Sequence, residues 1–283
     1  MSVGTASVLV AVWLACALAR RRRPSRWVTV TGAFAREFTA IMLLLGLWQY
    51  VGAFVHTRVA GAMERGRHVA SLEAAMHLPS ERAVQHVLLA VPRLSEAADV
   101  YYAYAHLNGT ALFVVWLWWR HRPFYPRARF VIITSTLACL LVQSVPVAPP
   151  RLLPDLGFVD TALRDGHSVY GEFGAGMSNQ LAAMPSVHVA WAVIVGWYVF
   201  WAVPRRWRWL GPLHTVLTVL VVVGTANHWW LDGLVGAGFV ALAMLAGWGA
   251  PRLWRRGARG PAPVPARAPE AEPGMARIPS IRP

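Results

Sequence analysis

The sequence predicts an all-α, polytopic transmembrane helical bundle, and three observations support this fold class. Of the 283 residues, 56% are hydrophobic and only 14% are charged, whereas about one quarter of the residues in a typical soluble domain are charged. Several apolar runs approach the roughly 20 residues that a membrane-spanning helix needs. The 27 basic residues are all arginine, and most follow the ends of these runs. We therefore expect an integral membrane protein with one membrane domain.

The positive charge of the chain indicates orientation in a membrane more than binding to nucleic acid. The formal net charge is +14, and nucleic-acid-binding proteins can be equally basic. Because the arginines flank apolar runs, we expect membrane lipids, and no nucleic acid, as partners. The two cysteines, Cys16 and Cys139, lie inside apolar runs and indicate no disulfide framework.

The first predicted element is an apolar run at 3–19, directly followed by four arginines. A cleavable signal peptide has its positive charge before the apolar region. The reversed order predicts an N-terminal transmembrane helix with a basic cytoplasmic loop, together spanning residues 1–35.

Six further apolar runs predict the core spans of the bundle. They lie at 38–55, 100–119, 130–147, 187–203, 210–226 and 231–250. The membrane catalytic domain is therefore expected at 36–250. Residues 251–283 are rich in Arg, Pro and Ala, which predicts a disordered basic tail.

Two long connections interrupt the predicted spans. In the first, at 56–99, the apolar residues 84, 87, 88 and 91 recur at helical spacing, while Arg82, Gln85 and Arg93 face elsewhere. This pattern fits a helix lying in the membrane interface and fits equally a helix packed on the membrane domain. The second connection, at 148–185, is a loop rich in Pro, Gly and Asp.

The distribution of arginines predicts which loops share a face of the membrane. With seven spans and the N-terminus outside, 20 of the 27 arginines fall on the cytoplasmic side, as the positive-inside rule expects. The same topology places both long connections outside. It also places His188 and the junction of the last two spans at the outer face.

That junction contains the most informative spacing in the chain. His228 and Asp232 are four residues apart and would share a helical face if the junction is helical. A carboxylate beside an imidazole fixes its tautomer and makes the other ring nitrogen a better base or nucleophile. His188 would then be available as a proton donor, and Arg151 as a clamp for phosphate oxygens.

Each of these residues also has a simpler interpretation. A histidine at the end of a span can be an interfacial or capping residue, and a His–Asp pair can be an ordinary helix contact. Arg151 can contact lipid headgroups or brace a loop. The hypothesis of a site depends on the joint occurrence of these groups on one face of the membrane.

Several blocks together resemble one enzyme family. The motifs Pro-Ser-Val-His at 185–188 and His228-x-x-x-Asp232 resemble the second and third blocks of the type 2 phosphatidic acid phosphatase superfamily. The match is closer to its branch of inositolphosphotransferases and inositol phosphorylceramide synthases. That branch is similar at Tyr102-x-x-x-His106 and at 146–151, 157–161, 183–188 and 227–232.

The resemblance, which covers roughly residues 36–250, implies a two-step phosphoryl transfer. His228 would attack phosphorus, Asp232 would orient and polarise it, and His188 would protonate the leaving oxygen and then activate the acceptor. Arg151 would stabilise charge on the phosphoryl oxygens. This scheme requires no metal and no cofactor. The substrate-binding residues expected around these groups are Arg151, Ser186, His106, Tyr102, Arg164 and Asn227.

The sequence departs from the superfamily pattern at its phosphate-binding cations. The first block begins with Lys, and this chain has no Lys. The pair Arg122-Pro123 resembles the end of that block, but the predicted topology places it on the cytoplasmic face. The third block normally carries Ser-Arg ahead of the histidine, whereas Val222 stands six residues before His228. Arg151 is expected to substitute for one missing cation, with Arg164 as a second candidate.

Two other classes of function remain open from the sequence. His188, His228 and Asp232 could bind a metal ion in a metal-dependent membrane hydrolase. Alternatively, the chain could be a non-catalytic transporter or scaffold, although transporters place ionisable groups near the bilayer midplane.

The expected enzyme acts on a lipid phosphate or phosphodiester at the extracytoplasmic face of a bacterial plasma membrane. Hydrolysis and transfer to an alcohol differ only in the acceptor, and the motifs leave both open. The sequence predicts no oligomeric state.

Overall fold

The structure, a computed structural model, describes residues 26–56, 60–164 and 180–257. These residues fold into helices joined by loops, and no β-strand occurs among them, so the predicted all-α class is confirmed. The predicted N-terminal span at 3–19 and most of the predicted tail lie outside the described residues. The chain divides into a compact unit that ends at Gly247 and a C-terminal unit that begins at Trp248.

The helices are labelled here in chain order. They are α1 (Arg26–His56), α2 (Ala62–Ala75), α3 (Glu81–Leu89), α4 (Pro92–Val100), α5 (His106–Arg120), α6 (Tyr125–Gln143), α7 (Thr161–Arg164), α8 (Val187–Ala202), α9 (Leu210–Gly224) and α10 (Trp230–Gly257). A π-helical turn, Tyr101–Ala105, joins α4 to α5 without a break in the chain direction. Two 3₁₀ turns, Pro150–Leu152 and Pro154–Leu156, lie in the second long connection.

Helices α8 and α9 form an antiparallel hairpin whose backbones touch. A Cβ atom at Gly196 would collide with Thr215 Oγ1, and one at Gly211 would collide with the backbone of Gly196. The Thr215 hydroxyl also donates to the carbonyl oxygen of Ala192 across the hairpin (2.9 Å). Small residues therefore allow the two helices to approach as closely as their backbones permit.

Helix α10 closes against the first turn of α8. A Cβ at Gly236 would lie 2.5 Å from the carbonyl oxygen of Ser186, and one at Gly233 would lie 3.4 Å from Val189. The amide of Ser186 donates to the carbonyl oxygen of Asp232 (2.9 Å). These contacts bring Ser186, two residues before His188, next to the start of α10.

The first long connection folds into α2, α3 and α4. Val84 and Leu88 of α3 pack against Gly224 at the end of α9. Gln85, which the pattern placed away from the apolar face, is buried and exchanges two hydrogen bonds with the backbone of Val159 (2.8 and 3.0 Å). Of the two alternatives for this region, the structure supports a helix packed on the rest of the domain.

Within residues 26–56, 60–164 and 180–257, two helical segments are long and apolar enough to cross a membrane, Tyr125–Gln143 and Trp230–Trp248. Val187–Ala202 and Leu210–Gly224 are apolar but shorter. The described helices overlap all six predicted core spans in sequence. The number of spans nevertheless stays a prediction, because two helices in the described part of the chain meet the length and hydropathy requirement.

Candidate active site

The candidate site is a cavity of about 200 Å³ at the ends of several helices. Its polar wall contains His188 and His228 together with the side chains of the π-helical turn and α5. Its apolar wall includes Trp48 of α1 and Trp191 of α8. The full lining is Trp48, Tyr102, Ala103, His106, Leu107, Gln143, Ala182, Val187, His188, Trp191 and His228.

His228 is buried, and the hydrogen bonds at one ring nitrogen fix its tautomer. Its Nδ1 lies 2.9 Å from the carbonyl oxygen of Ala183 and 3.3 Å from Asp232 Oδ2. Because a carbonyl oxygen can only accept, Nδ1 must carry the hydrogen. Nε2 has no hydrogen-bond partner among the described residues. In the neutral ring, Nε2 therefore presents a lone pair.

Asp232 is fully buried in the first turn of α10. Its Oδ2 accepts from the amide of Trp229 (2.8 Å) as well as from His228. The carboxylate thus satisfies a free amide at the start of the helix while it holds the imidazole. His228 itself precedes the helix, because α10 begins at Trp230.

The end of α9 explains how His228 reaches this position. Ala226 adopts a left-handed conformation, with φ of 54°, which is uncommon for a residue other than glycine. The amides of Asn227 and His228 both donate to the carbonyl oxygen of Val222 (3.0 and 3.1 Å). The chain therefore turns sharply after α9 and directs His228 back towards α8.

His188 is half-buried in the first turn of α8 and lies opposite His228. The centroids of the two imidazole rings are 5.5 Å apart. Tyr102 stacks on His188 with a centroid separation of 4.5 Å, and the ring of His106 lies 5.4 Å from it. The structure therefore brings the two histidines predicted to be catalytic and two predicted substrate-binding residues to one cavity.

Arg151 lies beside the cavity rather than on its wall. Its side chain is buried, and its Nε donates to Asn227 Oδ1 (3.0 Å) while its Nη1 pairs with Asp160 (2.6 Å). Its amide also donates to the carbonyl oxygen of Ala226 (2.9 Å). Asn227, the residue before His228, thus links the guanidinium to the histidine loop.

Two other predicted site residues occupy positions next to the cavity or away from it. The Ser186 hydroxyl caps α8 by accepting from the amide of Val189 (3.3 Å). Arg164 lies at the end of α7, where it donates to Ser95 (3.1 Å). Neither side chain lines the cavity.

Sequence reasoning missed several residues that surround the histidines. Gln143, at the end of α6, lines the cavity and donates to the carbonyl oxygen of Pro185 (2.9 Å). His214 of α9 stacks on His106 with centroids 5.7 Å apart and contacts the Tyr101 hydroxyl at 3.1 Å. No spacing in the sequence pairs these residues with the motifs, because each belongs to a different helix.

The arrangement has the parts that nucleophilic phosphoryl transfer needs. One imidazole has a fixed tautomer and an unpartnered nitrogen, a second imidazole faces it, and a buried carboxylate supports the first. Among the described residues, no group of three or more His, Cys, Asp or Glu side chains is arranged to hold a metal ion.

Comparison with known proteins identifies the family. The profile described as the PAP2 superfamily, the type 2 phosphatidic acid phosphatases, matches residues 67–246. Searches among curated proteins and among solved structures found no match. The matched segment covers more than half of the 283 residues and contains both histidines and the aspartate. The chain therefore belongs to the PAP2 superfamily, a membership that indicates a phosphatase or phosphotransferase.

Proposed function

We propose that the protein is a membrane-embedded lipid phosphotransferase or phosphatase that works through a phosphohistidine at His228. The observation that carries this proposal is the geometry of the two imidazoles. Hydrogen bonding at Nδ1 leaves Nε2 of His228 as the nucleophilic atom, and the ring of His188 lies 5.5 Å away, centroid to centroid. One phosphoryl group placed between them can contact both.

In the first step, Nε2 of His228 attacks phosphorus while the bond from phosphorus to the leaving oxygen breaks. Protonated His188 donates its proton to that oxygen, so the first product leaves as an alcohol. Asp232 stabilises the positive charge that develops on the imidazole of His228. The buried guanidinium of Arg151, tied to Asn227, supplies positive charge beside the phosphoryl oxygens.

In the second step, the acceptor replaces the leaving group. His188 removes a proton from water or from an alcohol, the acceptor oxygen attacks phosphorus, and the bond to Nε2 breaks. Water as acceptor gives a phosphatase, and an alcohol gives a transferase. The sequence resemblance to the inositolphosphotransferase branch favours transfer to an alcohol.

A lipid substrate is supported by the walls of the cavity and by the outer surface. Trp48 and Trp191 form an apolar side next to the imidazoles, as expected for a site that takes an acyl chain with its phosphate. Leu112, Trp119 and Leu141 are each at least 70% exposed, which suits a surface in contact with lipid. We infer from the arginine distribution that the site opens at the extracytoplasmic face.

The experiment is an acid-labile phosphoenzyme trap on the purified full-length protein. A lipid substrate labelled at phosphorus should label the wild-type enzyme, and base-stable, acid-labile label should be absent from His228→Ala. His86→Ala, which changes an exposed histidine of α3, is the matched control and should label normally. Full labelling or full turnover of His228→Ala would refute the assignment of the nucleophile.

The same preparation tests the metal-dependent alternative. A phosphohistidine mechanism should survive treatment with EDTA, whereas a hydrolase that uses His188, His228 and Asp232 as ligands should lose activity. Supplying candidate alcohols during turnover separates the two acceptors, because a transferase forms a new phosphodiester in place of inorganic phosphate.

A further inference from the structure

Two buried glutamates lie directly behind Asp232, in the part of the fold that the family motifs do not include. Glu73, near the end of α2, is 3% exposed, and Glu81, the first residue of α3, is 7% exposed. Their carboxyl groups are within hydrogen-bonding reach of each other. Charged side chains are almost never this deeply buried unless they are paired.

Glu73 holds the backbone at the start of α10. Its Oε1 accepts from the amide of Leu231 (2.7 Å), the residue between Trp230 and Asp232. The indole of Trp230 donates to the carbonyl oxygen of Pro79 (2.7 Å), in the loop that joins the two glutamates. The loop and Glu73 together therefore fix the helical turn that presents Asp232 to His228.

The contact between the two carboxyl groups requires a proton. Glu73 Oε2 and Glu81 Oε1 are buried and have no donor among the described residues. Two ionised carboxylates in contact would repel each other strongly in a buried position, and one proton allows one group to donate to the other. The aspartic-protease dyad shows the same principle.

The surroundings of Glu73 favour its protonated form. Burial, and next the hydrogen bond with Glu81, raise the pKa of Glu73 to about 9. The groups that face its carboxyl are Glu81 from α3 and, from α10, Asp232 and the amide of Leu231. The amide of Leu231 lowers the pKa of Glu73, whereas the carboxyl groups of Glu81 and Asp232 raise it.

We propose that Glu73 and Glu81 share one proton and are positioning residues for Asp232, so that a single negative charge stands behind the catalytic carboxylate. This proposal rests on the proposed function of His228 and Asp232. When the shared proton leaves, the two carboxylates repel each other, Glu73 withdraws from the amide of Leu231, and the first turn of α10 shifts. Phosphoryl transfer then fails although no catalytic residue has changed.

Glutamine can replace the shared proton. In Glu81→Gln, the side-chain amide donates permanently to Glu73, and in Glu73→Gln the new amide oxygen can still accept from Leu231 while its NH₂ group donates to Glu81. Each variant keeps one carboxyl group and cannot reach the doubly charged state in which two carboxylates repel each other. Glu64→Gln, on an exposed position of α2, is the matched control.

The first measurement is independent of turnover. Infrared difference spectra of the full-length protein at pH 7 should show the carbonyl band of one protonated carboxyl group in the wild type that is lost in Glu81→Gln and in Glu73→Gln. The Glu64→Gln spectrum should retain this band. If this carbonyl band is missing from the wild-type-minus-Glu81→Gln spectrum and from the wild-type-minus-Glu73→Gln spectrum, the proposal is overturned. This result does not depend on which reaction the enzyme catalyses.

The second measurement is the pH profile of kcat/KM. The alkaline loss of activity should move upwards by about one pH unit or more in Glu81→Gln, because the pair no longer has a shared proton to lose. A merely structural role would lower kcat/KM at every pH and leave the profile in place. Superimposable profiles for the wild type and Glu81→Gln would therefore also overturn the proposal. If instead His228→Ala retains turnover, the proposed function is wrong. The infrared result still shows whether Glu73 and Glu81 share a proton, so the two failures can be told apart.

Discussion

Replacing Asp232 with Asn keeps the shape of the side chain but removes its negative charge. The substitution therefore tests how much that charge supports His228. The new amide oxygen can take the place of Oδ2, which accepts from the amide of Trp229 at 2.8 Å and from His228 at 3.3 Å. The second carboxylate oxygen, Oδ1, has no partner among the described residues, so an NH₂ group there breaks no existing bond. We therefore expect a folded protein that has lost only the negative charge.

The distance between the groups sets the size of the effect. At 3.3 Å, a full pair of unit charges interacts with about 5 kcal/mol if the effective dielectric constant is about 20. Only part of the positive charge develops on the imidazole of His228 in the transition state, and the carbonyl of Ala183 remains at 2.9 Å. Taking about half of the interaction, 2–3 kcal/mol, predicts a loss of about 30- to 150-fold in kcat.

The assay is the release of phosphate or phosphodiester product from a lipid substrate in detergent micelles, with Asp232→Asn and wild type compared at equal amounts of folded protein. Asp155→Asn is the matched control, because Asp155 forms an exposed ion pair with Arg67 and does not line the cavity. Its kcat should equal that of the wild type. If Asp232→Asn also turns over at the wild-type rate, the His–Asp pair is only structural and the electrostatic reasoning is wrong.

Three further predictions follow from other contacts. His188→Ala should lower kcat by about 100-fold or more on a lipid phosphate, the usual range for a lost general acid, but an aryl phosphate with an activated leaving group should recover part of the rate. Gly236→Ala should lower both kcat and the melting temperature, because its Cβ would lie 2.5 Å from the carbonyl oxygen of Ser186, whereas Gly238→Ala meets no atom within 4 Å and should change neither. Because burial raises the pKa of Glu73 from 4.5 to about 9, the folded protein retains a proton that the unfolded chain loses, so the free energy of unfolding should fall as pH rises between these values. Glu73→Gln should flatten this fall, which thermal melts at pH 5 and pH 9 would measure; an equally steep fall in the variant would contradict the assignment.

The motif residues were predictable because their chemistry is local in sequence. The four-residue spacing of His228 and Asp232 suggested that they meet, and the structure places them 3.3 Å apart. The physical reason differs from the expected one, since His228 lies before the helix and the left-handed turn at Ala226 directs it. An alanine gives no sequence signal for such a turn, whereas a glycine would have done so.

The surrounding residues were not predictable because their contacts join distant parts of the chain. Glu73 reaches the amide of Leu231 across 158 positions, and Gln143 reaches Pro185 across 42. The spacing placed Gln85 away from the apolar face of its helix, and it could not reveal that Gln85 pairs with the backbone of Val159. Spacing reveals which residues share a face of one helix, but the partner of that face is decided by packing between helices.

Arg151 illustrates a prediction that the structure refines. The sequence offered it as a cation for phosphate, and the fold places it next to Asn227, one residue from His228. Its contact with Asp160 could not be foreseen, because it depends on how the two 3₁₀ turns between Pro150 and Leu156 fold. The guanidinium therefore lies beside the cavity and is not exposed on its wall.

The contact between Gly196 and Gly211 fixes how closely α8 and α9 approach, and the distance between the imidazoles of His188 and His228 depends on that approach. Since the two backbones already touch there, a larger residue at either position would spread α8 and α9 and change the distance between His188, at the start of α8, and His228, which follows α9. If the enzyme acts on lipid phosphates as proposed, variation at these two glycines would alter the size of headgroup that the cavity accepts, while every residue that lines the cavity stays as it is.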